Sequence, residues 1–414
     1  MLYLDYAATT PPYPEVVKTI MEVMTNHYGN PSSLHRFGME AERLVQKAKE
    51  VIGSILQVQP SSIIFTSGGT ESNNLAIKGT AYQYQNRGRH LITTELEHAS
   101  VSGPFAQLEG EGFQVTYLPV DGTGQVNLEE LHKAITPETI LVSVMHVNNE
   151  MGRIQPIADI GRMLEKYPTI LFHVDAVQGM GKLPIFPKAM GIDMLSASAH
   201  KFRGPKGTGF LYCRSGIRLK PLLAGGGQEH GIRSGTENVP LIVGMARALR
   251  MSMEGLEQKH AHKCRMRDLI RKGIASIPVL QLTGPDDPDR IGMAPHIVHF
   301  SFPGMKSEVV VHALEERRIY ISSKSACSSG EAEPSRVLMA MGLDRKRAQS
   351  GLRVSFSDNL TEQDVKTFVQ ALKEVTAELI SAIGTMKKGE KHAARIDCSP
   401  SRRAYFKRKK SHEI

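Results

Sequence analysis

The stretch Met194-Leu195-Ser196-Ala197-Ser198-Ala199-His200-Lys201-Phe202-Arg203-Gly204-Pro205-Lys206-Gly207-Thr208-Gly209-Phe210-Leu211-Tyr212 decides how the chain is read. Residues 194–197 and 209–212 are short apolar runs bounded by turn-forming residues, the pattern of buried strands. Between them a lysine stands just past the first strand, among small and polar residues and ahead of a glycine-rich loop. A lysine that forms a Schiff base with a carbonyl cofactor needs such a place: fixed backbone, partial burial and phosphate donors nearby. Taken alone, the segment fits a surface lysine in a turn equally well.

Outward from it, the same texture repeats. Residues 61–66, 90–93, 114–118, 140–147 and 170–174 read as further strands. Helical patterns lie between several of them, at 157–167 and upstream at Leu44, Val45, Ala48, Val51, Ile52, Ile55 and Leu56. Gly68-Gly69-Thr70 reads as a turn, with a helix beginning near Asn74. Strands alternating with helices predict an α/β domain with a mainly parallel sheet, whose chemistry sits in loops at the carboxyl ends of strands. Beyond about residue 250 a long charged helix is expected over 241–274. Strands follow at 297–302, 319–321 and 352–356, with helices at 308–316 and 362–383, a smaller α+β unit. The expected division is 1–255 for an N-terminal arm and large domain, 256–385 for the small domain, and 386–414 for a flexible basic tail.

Bulk properties limit the function. The 414 residues are 41% hydrophobic and 22% charged, as in ordinary globular proteins. No apolar run approaches the ~20 residues that span a membrane, and the first residues do not have the form of a secretory signal. The expected location is the cytoplasm. Cys213, Cys264, Cys327 and Cys398 form no metal-ligand or C-x-x-C spacing, so no resident metal is expected. The net charge of +9 is concentrated from Lys387 onward, where ten lysines and arginines face three acids. Such a tail suits contact with RNA or another acidic surface, or plain solvation.

Four further motifs accompany Lys201. Asp175, in His173-Val174-Asp175-Ala176-Val177-Gln178, ends a strand, where it can pair with a protonated pyridine nitrogen or cap a turn. Thr66-Ser67-Gly68-Gly69-Thr70-Glu71 lets the backbone approach an anion at a helix start, though alone it fits an ordinary capped helix start better; it is neither a Walker loop nor a G-x-G-x-x-G fingerprint. Ser322-Ser323-Lys324-Ser325-Ala326-Cys327-Ser328-Ser329-Gly330 is a small, polar stretch after a strand, so Cys327 is read as an accessible thiol, which Lys324 can activate; alone, the motif fits an incidental surface cysteine better. His98 and Asn149 both follow strands.

In this order the motifs resemble the NifS/IscS-type cysteine desulfurases, a branch of the class V aminotransferases. The resemblance also takes in Tyr3-Leu4-Asp5-Tyr6-Ala7-Ala8-Thr9-Thr10, Gly29-Asn30-Pro31-Ser32-Ser33, His146-Val147-Asn148-Asn149-Glu150, Gly225-Gly226-Gly227-Gln228-Glu229 and Arg233-Ser234-Gly235-Thr236, and spans residues 1–385. It implies a PLP-dependent transferase of fold type I, like aspartate aminotransferase: a large domain with a mainly parallel seven-stranded sheet, a small α+β domain, and a homodimer. It implies pyridoxal 5'-phosphate (PLP) as cofactor, with Lys201 bonded to it, Asp175 on its ring nitrogen, Gln178 on its ring hydroxyl and His98 stacked on the ring. Gly69, Thr70, Ser198 and His200 would bind the phosphate, with Thr236 reaching in from the other subunit. Asn149 also lies against the cofactor, and with Arg353 would hold the substrate carboxylate. L-cysteine would become L-alanine, its sulfur kept on Cys327 as a persulfide for an acceptor protein of iron–sulfur assembly or tRNA thiolation; Cys327 would also be placed to ligate a cluster in passing.

Two positions depart from the common pattern. Lys324 replaces a glycine before Cys327, and Ser357-Asp358 replaces Gly-Arg. Other readings are a selenocysteine lyase or another class V aminotransferase, which need no Cys327, and an inactive RNA- or partner-binding scaffold, suggested by the tail.

Overall fold

The computed structural model describes residues 1–289, 292–323 and 333–396. Lys324, Cys327 and Cys398 lie outside the described residues. The strands in chain order are β1 (Leu2–Tyr3), β2 (Ile63–Thr66), β3 (His90–Thr94), β4 (Gln114–Leu118), β5 (Thr139–Met145), β6 (Leu171–Asp175), β7 (Met194–Ser198) and β8 (Gly209–Cys213). After these come β9 (Gln281–Leu282), β10 (Ile297–Ser301), β11 (Ile319–Tyr320), β12 (Ser322–Ser323) and β13 (Gly351–Ser355).

Seven strands make the main sheet, in the order β2-β8-β7-β6-β5-β3-β4. Every residue of β2, β3 and β5 through β8 is buried, because helices cover both faces. β8 alone is antiparallel to its neighbours β7 and β2, so β2 still points the same way as β7. The carboxyl ends of β2, β5, β6 and β7 therefore open on one side.

The helix Gly69–Tyr84 starts at Gly69, earlier than the turn expected over residues 68–70 allows. Gly68 makes this entry with φ 153°, a backbone setting that side chains resist. The long helix expected over 241–274 is instead two, Val239–Met253 and Leu256–Ala275, broken at Gly255 with φ 62°. The glycine's left-handed setting ends one helical run and lets the next leave at a new angle.

A second core gathers Met266, Ile270, Phe300, Leu314, Leu352 and Phe368 from the helix Leu256–Ala275, β10, β13 and later helices. The N-terminal arm reaches the second core. β1 pairs in parallel with β11, and Leu4, 1% exposed, is buried in this second core. The arm then crosses back: Ala7 N–H donates to Ser355 Oγ at 2.8 Å, and Thr10 N–H to the His200 carbonyl at 2.9 Å. The final helix, Glu362–Ile396, continues into the region read as a flexible tail. Among the described residues no helix is long and apolar enough to cross a membrane.

Candidate active site

A cavity of about 540 Å³ lies at the shared carboxyl ends of the strands, where open α/β sheets bind ligands. Lys201, Asp175, His98, Asn149, Gln178, Ser198, His200, Gly69 and Thr70 all line it. The sequence motifs that carry these residues converge on one space.

Asp175 forms the floor. It ends β6, is buried, and accepts from Val177 N–H at 2.9 Å on Oδ1 and from Asn73 Nδ2 at 2.8 Å on Oδ2. Burial raises its pKa, because these neutral donors do not repay the loss of water. Asn73 also donates to Ser100 Oγ at 2.9 Å, and Ser100 Oγ lies 2.8 Å from His98 Nδ1. The Ser100 backbone N–H donates to the same Nδ1 at 3.1 Å as His98 caps the helix Ala99–Gly110. Nδ1 is thus an acceptor, and burial lowers the ring's pKa, so the neutral imidazole carries its proton on Nε2.

Lys201 follows β7 in a short 3-10 turn, Ala199–Lys201. Its Nζ donates to the carbonyls of Ala7 at 2.6 Å and Ala8 at 2.8 Å. Burial, then the nearby Arg353, push the amine down to about 8, where a useful fraction is unprotonated near neutrality. Gln178 Nε2 donates to the Ala7 carbonyl at 2.9 Å, leaving its Oε1 buried without a partner among the described residues. His200 Nδ1 lies 3.2 Å from Thr9 Oγ1, and burial followed by the charge of Lys201 lowers its pKa to about 4.

The helix Gly69–Tyr84 points its free N–H groups into the cavity, a cradle for an anion. A Cβ at Gly69 would stand 2.7 Å from Val177 Cγ2 and 3.5 Å from Ser198 Cβ, so only glycine leaves this room. Glu71, next in the helix, is held by Arg233 Nε at 2.7 Å and by Ser67 N–H at 2.7 Å.

Arg353 does not line this cavity. It lines an adjoining space of about 120 Å³ with Ser322, Ser323 and Asn149, which faces both. Its NH1 donates to the Asn149 carbonyl at 2.6 Å and its NH2 to Asp5 Oδ1 at 2.9 Å. Thr236 is exposed and does not line the cavity of its own chain.

Sequence reasoning passed over Asn73, Ser100 and the Ala7 and Ala8 carbonyls. Asn73 left one signal, a polar residue on the helix face that Gly69, Ala76 and Ile77 bury. Glu97, beside His98, was also missed. It is buried, accepts from Thr94 Oγ1 and Met145 N–H at 2.9 Å each, and burial drives its carboxyl up to about 8.

PLP fits these residues on three observations. A buried carboxylate on neutral donors suits a cationic ring nitrogen, the glycine cradle has room for a phosphate, and the unpartnered Gln178 Oε1 awaits a polar group.

The profile of the aminotransferase class-V family matches residues 2–368. The chain belongs to that family. Within these class-V proteins it is 44% identical over 377 residues to the NifS/IcsS protein homolog of Lactobacillus delbrueckii subsp. bulgaricus, covering 91% of this chain and 97% of that one. It is 43% identical over 375 residues to the cysteine desulfurase IscS of Clostridium botulinum, covering 90% and 94%. A solved NifS-like protein superimposes with a TM-score of 0.85 at 39% identity, over 91% of this chain and 99% of that structure. The class-V chain thus has the expected fold, a type I PLP-transferase architecture with a mainly parallel seven-stranded sheet.

Proposed function

We propose that this class-V enzyme is a cysteine desulfurase that uses PLP to convert L-cysteine to L-alanine and keeps the sulfur on Cys327. The observation that carries the reading is Lys201 and Asp175 facing one cavity across a glycine cradle. When bound, PLP supplies an electron-withdrawing ring that makes the substrate's Cα–H bond breakable.

The chain's residues do the rest. Gly69, Thr70, Ser198 and His200 hold the phosphate, while Asp175 holds the proton on the ring nitrogen. Gln178 turns its amide toward the ring hydroxyl, and His98 presents Nε2–H to the cavity. Lys201, with its lowered pKa, is the base for the Cα proton. Asn149 and Arg353 orient the substrate carboxylate. The Cys327 thiolate then bonds to the substrate sulfur as the Cβ–S bond breaks. That bond's electron pair stays on Cβ, which takes up one proton to become the methyl group, and the proton removed from Cα is returned there to complete alanine.

Thr236 acts in a second copy's site. Exposed Tyr28, Leu34, Phe37 and Met39 support such a pairing. The persulfide passes to an acceptor protein. The test is Cys327→Ala, which should keep bound PLP and lose all persulfide and sulfide formation from L-cysteine. Full turnover by this variant would instead identify a lyase or aminotransferase.

A further inference from the structure

A second cavity, of about 40 Å³, adjoins the first, and Lys201 is the residue that lines both. Its walls bring Lys182, Lys259, Lys263 and Arg203 together against one carboxylate, Asp358. Lys182 and Arg203 come from the large sheet's side. Lys263, on the helix Leu256–Ala275, and Asp358, after β13, come from the second core. The cavity therefore lies in the seam between the two.

Most of these cations have partners. Lys259 Nζ donates to the Met251 carbonyl at 2.8 Å and lies 3.9 Å from Asp358. Arg203 donates to the Pro11 carbonyl at 3.3 Å and sits 4.1 Å over the Tyr13 ring. Lys182, 8% exposed, has the Gln178 carbonyl at 3.0 Å. Lys263, 5% exposed, faces the charge of Asp358, the same carboxylate that serves Lys259. Buried ammonium groups in excess of their counter-charge are among the costliest features a fold can carry.

We propose that this seam cavity binds a small inorganic anion of halide size, held between Lys263 and Lys182. Size allows it and charge favours it. The volume exceeds the ~10–15 Å³ that one water needs, so a small ion can enter. Water would solvate the ammonium groups but leave their excess over Asp358 uncompensated. Burial lowers the pKa of both lysines, and an anion keeps them protonated by opposing that trend. The ion would also tie the helix Leu256–Ala275 to the segment after β6 that carries Lys182, joining the two cores beside the catalytic lysine. None of this depends on the reaction proposed above.

Bromide is the probe. Crystals of the PLP-loaded native enzyme soaked in sodium bromide should show an anomalous peak between Lys182 and Lys263. In solution, replacing gluconate by chloride at constant ionic strength should raise the melting temperature saturably, on the order of 2 °C. Lys263→Met should abolish both responses. No bromide peak in the cavity while surface sites are labelled overturns the proposal, as does an undiminished chloride response in Lys263→Met. Should that variant not fold, the bromide experiment on the native chain decides alone.

Discussion

Asp175→Asn tests the floor of the site. The carboxylate oxygens accept from Val177 N–H and Asn73 Nδ2 at 2.9 and 2.8 Å. The new amide keeps one acceptor for Val177 but turns its NH₂ toward the NH₂ of Asn73. Asn73 relieves this clash by turning its own amide over. Its Oδ1 is buried without a partner, so after the turn it accepts from the new amide and from the Ser100 hydroxyl. That hydroxyl then leaves His98 Nδ1, which keeps the Ser100 N–H at 3.1 Å. The net loss is about one hydrogen bond, and the turned-over NH₂ of Asn73 is left without an acceptor where its buried Oδ1 lay, together ~2–4 kcal/mol, so the cofactor-free protein should melt measurably lower. The bound enzyme loses a further contribution. A charge-assisted bond to the ring nitrogen is worth roughly 1.5–3 kcal/mol, or about 10- to 150-fold. Equilibrium dialysis of PLP and alanine formation at saturating cofactor measure that loss, and calorimetry of the cofactor-free protein measures the stability. Unchanged PLP affinity and turnover would refute the assignment of Asp175. A cofactor-free stability unchanged to within ~0.5 kcal/mol would refute the Asn73 rearrangement.

In cofactor-free protein, acylation of Lys201 followed by mass spectrometry should titrate near pH 8, the value to which burial and Arg353 bring the amine; a midpoint near the ordinary ~10.4 would remove its role as a base. Glu97 is held at about 8 by burial, above its unfolded value of ~4.3. Its neutral form is the stabilising one, so the native protein loses stability as pH rises from about 5 to 8, and Glu97→Gln should escape that loss by more than ~1 kcal/mol in denaturant titrations at the two ends. Lys49 and Glu229 form a buried pair at 2.7 Å. Lys49→Met should cost about 3–5 kcal/mol by stranding the carboxylate, and adding Glu229→Leu should recover most of it; equal losses in the single and double variants would show that the charge is not the cause.

The sheet was legible because its strands are apolar on both faces and short, so β3, β4 and β6 through β8 fall within a residue or two of the stretches expected. Lys201 and Asp175 were legible because each stands at a strand's carboxyl end beside distinctive neighbours. Backbone acceptors left no trace: the Ala7 and Ala8 carbonyls that receive Lys201 carry no side-chain signature. Asn73 and Ser100 act through a hydrogen-bond chain that exists only once two helices pack. The break at Gly255 was hidden because one glycine within a charged, periodic run reads as tolerated. The arm's contacts were not legible, because Leu4 finds its apolar partners far along the chain.

That arm sets an order on assembly. Residues 1–10 are made more than three hundred residues before their partners at Ile319, Arg353 and Ser355. The large sheet has all its strands once residue 213 is made, while the carbonyls that receive Lys201 stay unanchored for more than a hundred residues longer. During synthesis the large sheet can therefore form before the reaction centre is finished, and the arm is fastened only when Ile319 and the strand Gly351–Ser355 arrive.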